Sequence, residues 1–217
     1  MVCECIVSLV NSNVFSAVAQ SSFNGPATDL SLFDPRREPP NVVISGRFVA
    51  FQSLQTPKDR VGCDRSGCAA TQCGQELLNE AEWFDCYSEV YKIYRRDGDG
   101  VVRVGDHVGF LQYKSYQWLQ CPSDSCRLGN CPGQPNEADG FEESSKWCEC
   151  DDYSFRLAAY NKTIGQPIYQ NDIIMAYHPK SREFMTISGH KTSCPRTFPP
   201  SLGEYEGCIE GTYILNY

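Results

Sequence analysis

The chain has 217 residues, with 27 acidic side chains against 19 lysines and arginines and a net charge of −8. That balance repels phosphate backbones and anionic bilayers, and no basic run exceeds Arg36-Arg37 or Arg95-Arg96, so nucleic acid and polyanions are not expected partners. Hydrophobic residues at 41% and aromatics at 12% can build a packed, aromatic-rich core, and no run of about 18 apolar residues is present to span a membrane.

Residues 1–19 hold an apolar stretch from Ile6 to Val18 and end on Ala17-Val18-Ala19, which resembles a signal-peptidase site. No lysine or arginine precedes the stretch, and Asn11, Ser12 and Asn13 interrupt it, so a non-native terminal segment is the other reading. Residues 20–40 carry Pro26, Pro35, Pro39 and Pro40 among Asp, Ser and Arg, a composition that predicts an irregular leader.

From residue 41 onward the sequence repeats itself three times, over about 41–97, 98–162 and 163–217. The run Val43-Ile44-Ser45-Gly46-Arg47-Phe48-Val49-Ala50-Phe51 aligns without a gap on Val102 to Phe110 and on Ile168 to Ala176. Each run reads as a turn feeding a strand. The copies also close alike, on Trp83/Cys86/Tyr91/Ile93, Trp147/Cys150/Phe155/Leu157 and Tyr205/Cys208/Tyr213/Leu215. Between these ends each copy predicts a polar turn, a cysteine-rich loop and an alternating strand such as Glu89 to Tyr94. Helical periodicity is nearly absent, with Gln75 to Phe84 the one stretch able to make a turn or two, so the predicted class is all-β.

Each unit is too small to have its own core, an open sheet would leave edges exposed, and propellers use four or more blades. Three copies with these strands resemble a β-trefoil, the pseudo-threefold fold of many lectins, some cytokines and certain protease inhibitors. The resemblance covers residues 41–217. The spacings of 59 residues from Val49 to Val108 and 66 from Val108 to Ile174 are long for that fold, and the cysteine-bearing loops account for the surplus.

Thirteen cysteines point to an oxidising, secreted setting. Copy one carries Cys63, Cys68, Cys73 and Cys86, copy two carries Cys121, Cys126, Cys131 and Cys150, and copy three keeps only Cys194 and Cys208. The first two positions are lost together. Because equivalent positions of a threefold arrangement lie far apart, joint loss predicts pairing within copies: Cys63–Cys68, Cys73–Cys86, Cys121–Cys126, Cys131–Cys150 and Cys194–Cys208. A four-thiolate zinc site fits less well, since copy three lacks two ligands and no Cys-x2-Cys knuckle occurs; no metal and no cofactor are expected. Cys148 has no repeat equivalent, only Cys3 or Cys5 as candidate mates, and is read as a free thiol or an intermolecular bond.

Nothing in the sequence demands catalysis. His107 falls in a predicted strand and reads as structural, while His178 and His190 fall in polar stretches and read as exposed. Neither a nucleophile elbow nor a phosphate loop is present, so no catalytic residue is assigned. Asp106 and Asp172 precede equivalent strands and read as caps of backbone amides, with Arg47 replacing them in copy one; Asp97-Gly98-Asp99-Gly100 reads as a turn.

For ligand binding the candidates are Tyr113, Tyr116 and Trp118, set in a polar turn with lysine and glutamine, a composition that suits sugar rings or a protein hot spot. Copies one and three have no equivalent, and the Gln-x-Trp signature of ricin-type lectins is missing. Asn161-Lys162-Thr163 is an N-glycosylation acceptor at a predicted surface loop. The sequence thus reads as a secreted, disulfide-stapled trefoil, with carbohydrate recognition favoured by fold analogy. The alternatives are a protein-binding module, such as a protease inhibitor or an extracellular ligand or matrix protein, and an enzyme with a cavity among its loops. No oligomeric state is implied.

Overall fold

A computed structural model describes residues 41–72, 89–131 and 150–216. They form three successive units of four strands each. Unit one contains β1 (Phe48–Ser53), β2 (Asp59–Cys63), β3 (Cys68–Gln72) and β4 (Tyr91–Arg95). Unit two contains β5 (His107–Gln112), β6 (Trp118–Gln120), β7 (Arg127–Gly129) and β8 (Phe155–Ala159). Unit three contains β9 (Ile173–His178), β10 (Glu183–Met185), β11 (Lys191–Thr192) and β12 (Tyr213–Asn216).

The outer strands of each unit close a six-stranded antiparallel barrel. β1 pairs with β4, β4 with β5, β5 with β8, β8 with β9, β9 with β12, and β12 returns to β1. The inner strands of each unit make hairpins, β2–β3, β6–β7 and β10–β11. This is the threefold arrangement that the repeats predict, and closure removes the barrel's edges.

Strand alternation sends the aligned apolar residues inward. Val49 and Phe51, Val108 and Phe110, and Ile174 and Ala176 come from the opening strands; Tyr91 and Ile93, Phe155 and Leu157, and Tyr213 and Leu215 come from the closing ones. All are fully buried, and each large side chain contributes roughly 1.5–3 kcal/mol by leaving water. The two inward tyrosines satisfy their hydroxyls on hairpin carbonyls, Tyr91 donating to Val61 at 3.1 Å and Tyr213 to Met185 at 2.6 Å.

The turns before β1, β5 and β9 hold Gly46, Gly105 and Asn171 at φ of +87°, +91° and +65°, a left-handed position that glycine and asparagine tolerate best. Asp106 accepts the Arg103 N–H at 2.9 Å and Asp172 accepts the Tyr169 N–H at 2.7 Å, so both carboxylates cap their turns. Just upstream, the three units meet in a ring of backbone hydrogen bonds. Val43 N–H donates to Ile168 O at 2.9 Å, Ile168 N–H to Val102 O at 2.9 Å, and Val102 N–H to Val43 O at 2.8 Å.

At the hairpin tips, Cys63–Cys68 and Cys121–Cys126 are disulfides with Cα atoms 4.0 Å apart. The third tip has no cysteine and turns instead through Gly189 at φ +74°. The tips interlock through Cys68 N–H to Cys126 O at 3.0 Å and Cys126 N–H to Gly189 O at 2.7 Å. Cys194–Cys208 ties the loop after β11 to the end of α1 (Leu202–Gly207). That short helix is started by a capping box, Ser201 with Glu204, a signal present in the sequence and not read there as a helix start.

One expected pairing is not made. Cys131 is disulfide-bonded, but Cys150 is a buried thiol, so the two are not joined to each other. Cys150 was matched to Cys208 by its distance from an upstream aromatic, whereas disulfide partners are chosen by Cα separation and Cβ direction, which that register does not encode. Cys73, Cys86, Cys148, the stretch Gln75 to Phe84 and residues 1–40 lie outside the described residues. No helix among the described residues is long and apolar enough to cross a membrane.

Candidate ligand-binding site

Two turns from neighbouring units face each other at the hairpin end. In the β2–β3 turn, Asp64 Oδ1 accepts the backbone N–H groups of Ser66 at 2.7 Å and Gly67 at 3.0 Å, along with the Ser66 hydroxyl. The hydroxyl and these two amides hold the exposed carboxyl below its usual range and fix the turn that carries Arg65. In the turn from β5 to β6, Gln112 Oε1 accepts the Ser115 hydroxyl at 2.7 Å, while Gln112 Nε2 donates to Cys63 O at 2.7 Å and so joins unit two to unit one.

Arg65 Nε donates to Gln117 Oε1 at 3.3 Å, and Gln117 Nε2 donates to Asn130 Oδ1 at 2.9 Å. Between the turns lies a broadly open cleft of about 680 Å³, lined by Arg65, Ser66, Lys114, Ser115, Gln117 and Leu128 among others. Cationic heads, amides and hydroxyls therefore line one hollow together with an apolar wall from Cys63, Cys68, Ala69 and Leu128.

The three aromatics expected to bind do not share one surface. Trp118 is only 2% exposed and packs on Tyr94 with ring centres 5.7 Å apart. It opens β6 opposite Leu111, so its ring lies in the sheet and not in the turn, and it is removed from the candidate platform. Tyr113 meets Phe48 edge-on at 5.1 Å. Tyr116 is different: it is 39% exposed and sits at φ +52°, with its N–H bound to Gln112 O at 3.0 Å. A bulky side chain at positive φ is a backbone outlier, and here it stands between Ser115 and Gln117 of the cleft wall.

Among the histidines, His107 shares a hydrogen bond with Ser154 Oγ at 3.0 Å inside β5, and His190 is exposed. His178 is not exposed, contrary to its polar sequence neighbourhood. It ends β9 at 1% exposure, with Nδ1 3.0 Å from Ser181 Oγ and its ring 5.6 Å from Phe155. Burial, aided by the Lys191 charge, lowers its pKa to about 4. The folded state thus resists a proton that the unfolded chain takes up below about pH 6.5. Stability is complete above that value and is lost as pH falls toward 4. Between pH 7 and pH 5 the expected loss is roughly 2 kcal/mol. Urea denaturation of wild type and His178→Gln checks this; equal losses in the two proteins would contradict it.

No family model matches the chain, and no curated protein does. Among solved structures it is similar to the SDF2-like protein from Arabidopsis thaliana, with a TM-score of 0.50 and 8% identity over 80% of this chain and 94% of that one. It also aligns with a Caenorhabditis elegans protein of unknown function at a TM-score of 0.43 and 10% identity, over 81% and 88% of the two chains, a value too low to carry an argument. Identity this small speaks to fold alone. The closed six-stranded barrel, the three hairpins and the alignment to the SDF2-like protein together give the chain a disulfide-bonded β-trefoil fold.

Proposed function

We propose that this trefoil is a secreted carbohydrate-recognition module whose ligand lies across Tyr116 and the cleft between the first two hairpins. The observation that carries the reading is the exposed Tyr116 ring, at positive φ in a turn whose Lys114, Ser115 and Gln117 line the cleft together with Arg65. A sugar's C–H face stacks on such a ring while its hydroxyls exchange hydrogen bonds with cationic and amide groups. The open cleft suits binding at a surface better than chemistry in an enclosed site. The disulfides among the described residues fit the secretory pathway, and the Asn161 acceptor agrees with it.

The test is a glycan array probed with oxidised protein from a secretory host. Tyr116→Ala and Arg65→Ala are each expected to weaken binding at least tenfold, roughly 1.4 kcal/mol or more, with thermal unfolding unchanged. Wild type that binds no glycan at high concentration would sink the proposal. One observation favours a second reading: the third unit repeats the backbone of this turn, with Arg182 at φ +61° in the place of Tyr116, but neither other copy repeats Tyr113 and Tyr116, and a single asymmetric aromatic pair suits a protein partner such as a protease. A partner captured from secreted proteins by wild type and lost with Tyr116→Ala would support that alternative.

A further inference from the structure

We infer that Asn161 carries an N-linked glycan whose first sugars lie in, and cover, an apolar groove formed by Ile164, Pro199, Pro200 and Leu202. This rests on the secretory-pathway reading above. The groove is an open concavity of about 580 Å³, and Asn161 and Thr163 line it together with the apolar residues. Ile164 and Leu202 are 58% and 53% exposed, the most exposed large apolar side chains among the described residues. Two such residues on one concave surface leave a patch that water solvates poorly.

The acceptor is well placed to cover it. Asn161 and Thr163 are both exposed, and Asn161 turns the chain after β8 at φ +58°. The middle residue is pinned beside them, since the Lys162 ammonium is paired with Asp172 and donates to Pro167 O at 2.9 Å. The Thr163 N–H is held by Gln166 Oε1 at 2.7 Å. The corresponding link between units one and two makes the contrast. It reads Asp97-Gly98-Asp99-Gly100, with neither an acceptor nor an apolar side chain. The exposed isoleucine and the acceptor therefore occur together in one link and are both missing from the other.

In the transfer, Asn161 Nδ2 bonds to the anomeric carbon of an oligosaccharide supplied as a lipid diphosphate. The anomeric C–O bond breaks, the lipid diphosphate departs with the electron pair, and the amide proton is passed to base; nothing is oxidised or reduced. The acetamido methyl groups and C–H faces of the linked sugars then meet Ile164 and Leu202, while their hydroxyls stay in water.

The full chain made in a secretory host tests this through peptide mass mapping and binding of an apolar fluorescent dye. Occupancy at Asn161 is expected, retained in Thr163→Ser and lost in Thr163→Ala and Asn161→Gln. Dye fluorescence is expected to rise about two- to fivefold in Asn161→Gln and to return to the glycosylated level when Ile164→Ser and Leu202→Ser are added. Secreted, disulfide-bonded protein with bare Asn161 would overturn this inference and leave the secretory reading standing. A chain that stays reduced in the cytosol would overturn both. Occupied Asn161 with no dye increase in Asn161→Gln would overturn the covering role.

Discussion

Replacing Phe51 with alanine is expected to lower the unfolding free energy by about 3–5 kcal/mol. Phe51 is fully buried, and its ring lies 4.8 Å from Phe110, 5.3 Å from Tyr213 and 5.9 Å from Tyr91, so one side chain joins all three units at the barrel centre. Removing it forfeits the transfer free energy of an aromatic and leaves a cavity that neighbours on hydrogen-bonded strands cannot collapse to fill. Against a typical total of about 5–15 kcal/mol, that is a large share. Chemical denaturation is the measurement. A loss below about 1 kcal/mol would show that the centre repacks freely.

Gly189→Ala is expected to cost about 2–5 kcal/mol, from two separable causes. The position sits at φ +74°, where a Cβ is strained in any surroundings. An added Cβ would also fall 2.2 Å from Cys68 Cβ and 2.9 Å from the Cys68 carbonyl oxygen. Cys68 cannot swing aside, because it is bonded to Cys63 and its N–H is held by Cys126 O. Gly67, in the neighbouring turn, would present an added Cβ with no atom within 4 Å and serves as the control. If Gly189→Ala and Gly67→Ala shift the denaturation midpoint equally, the interlocked tips do not restrain each other.

The barrel was legible in the sequence because its inward residues are the repeated ones. Tyr91, Phe155 and Tyr213 align without a gap, and strand alternation fixes which way each points. Asp106 and Asp172 were legible for a similar reason, since turn caps are local. Trp118 was not, because its polar neighbours Gln117 and Gln120 conceal a strand that buries it against Tyr94. His178 escaped notice because its burial comes from Phe155, in another unit. The cleft escaped too: Arg65 and Gln117 are far apart in sequence and meet only when units one and two close. Cys150 shows the limit of repeat logic, as equivalent register does not guarantee equivalent pairing.

The pairing of β1 with β12 has a consequence for how the protein is made. Phe51 lies opposite Leu215, so β1 waits for a partner strand made more than 150 residues after it. At about 5–20 residues per second, that wait is roughly 10–30 s. Throughout it β1 lacks its β12 partner, and for most of it the hydrogen-bond ring also lacks Ile168. A nascent chain of this design therefore presents Val49, Phe51 and Ile93 to whatever surrounds the ribosome exit.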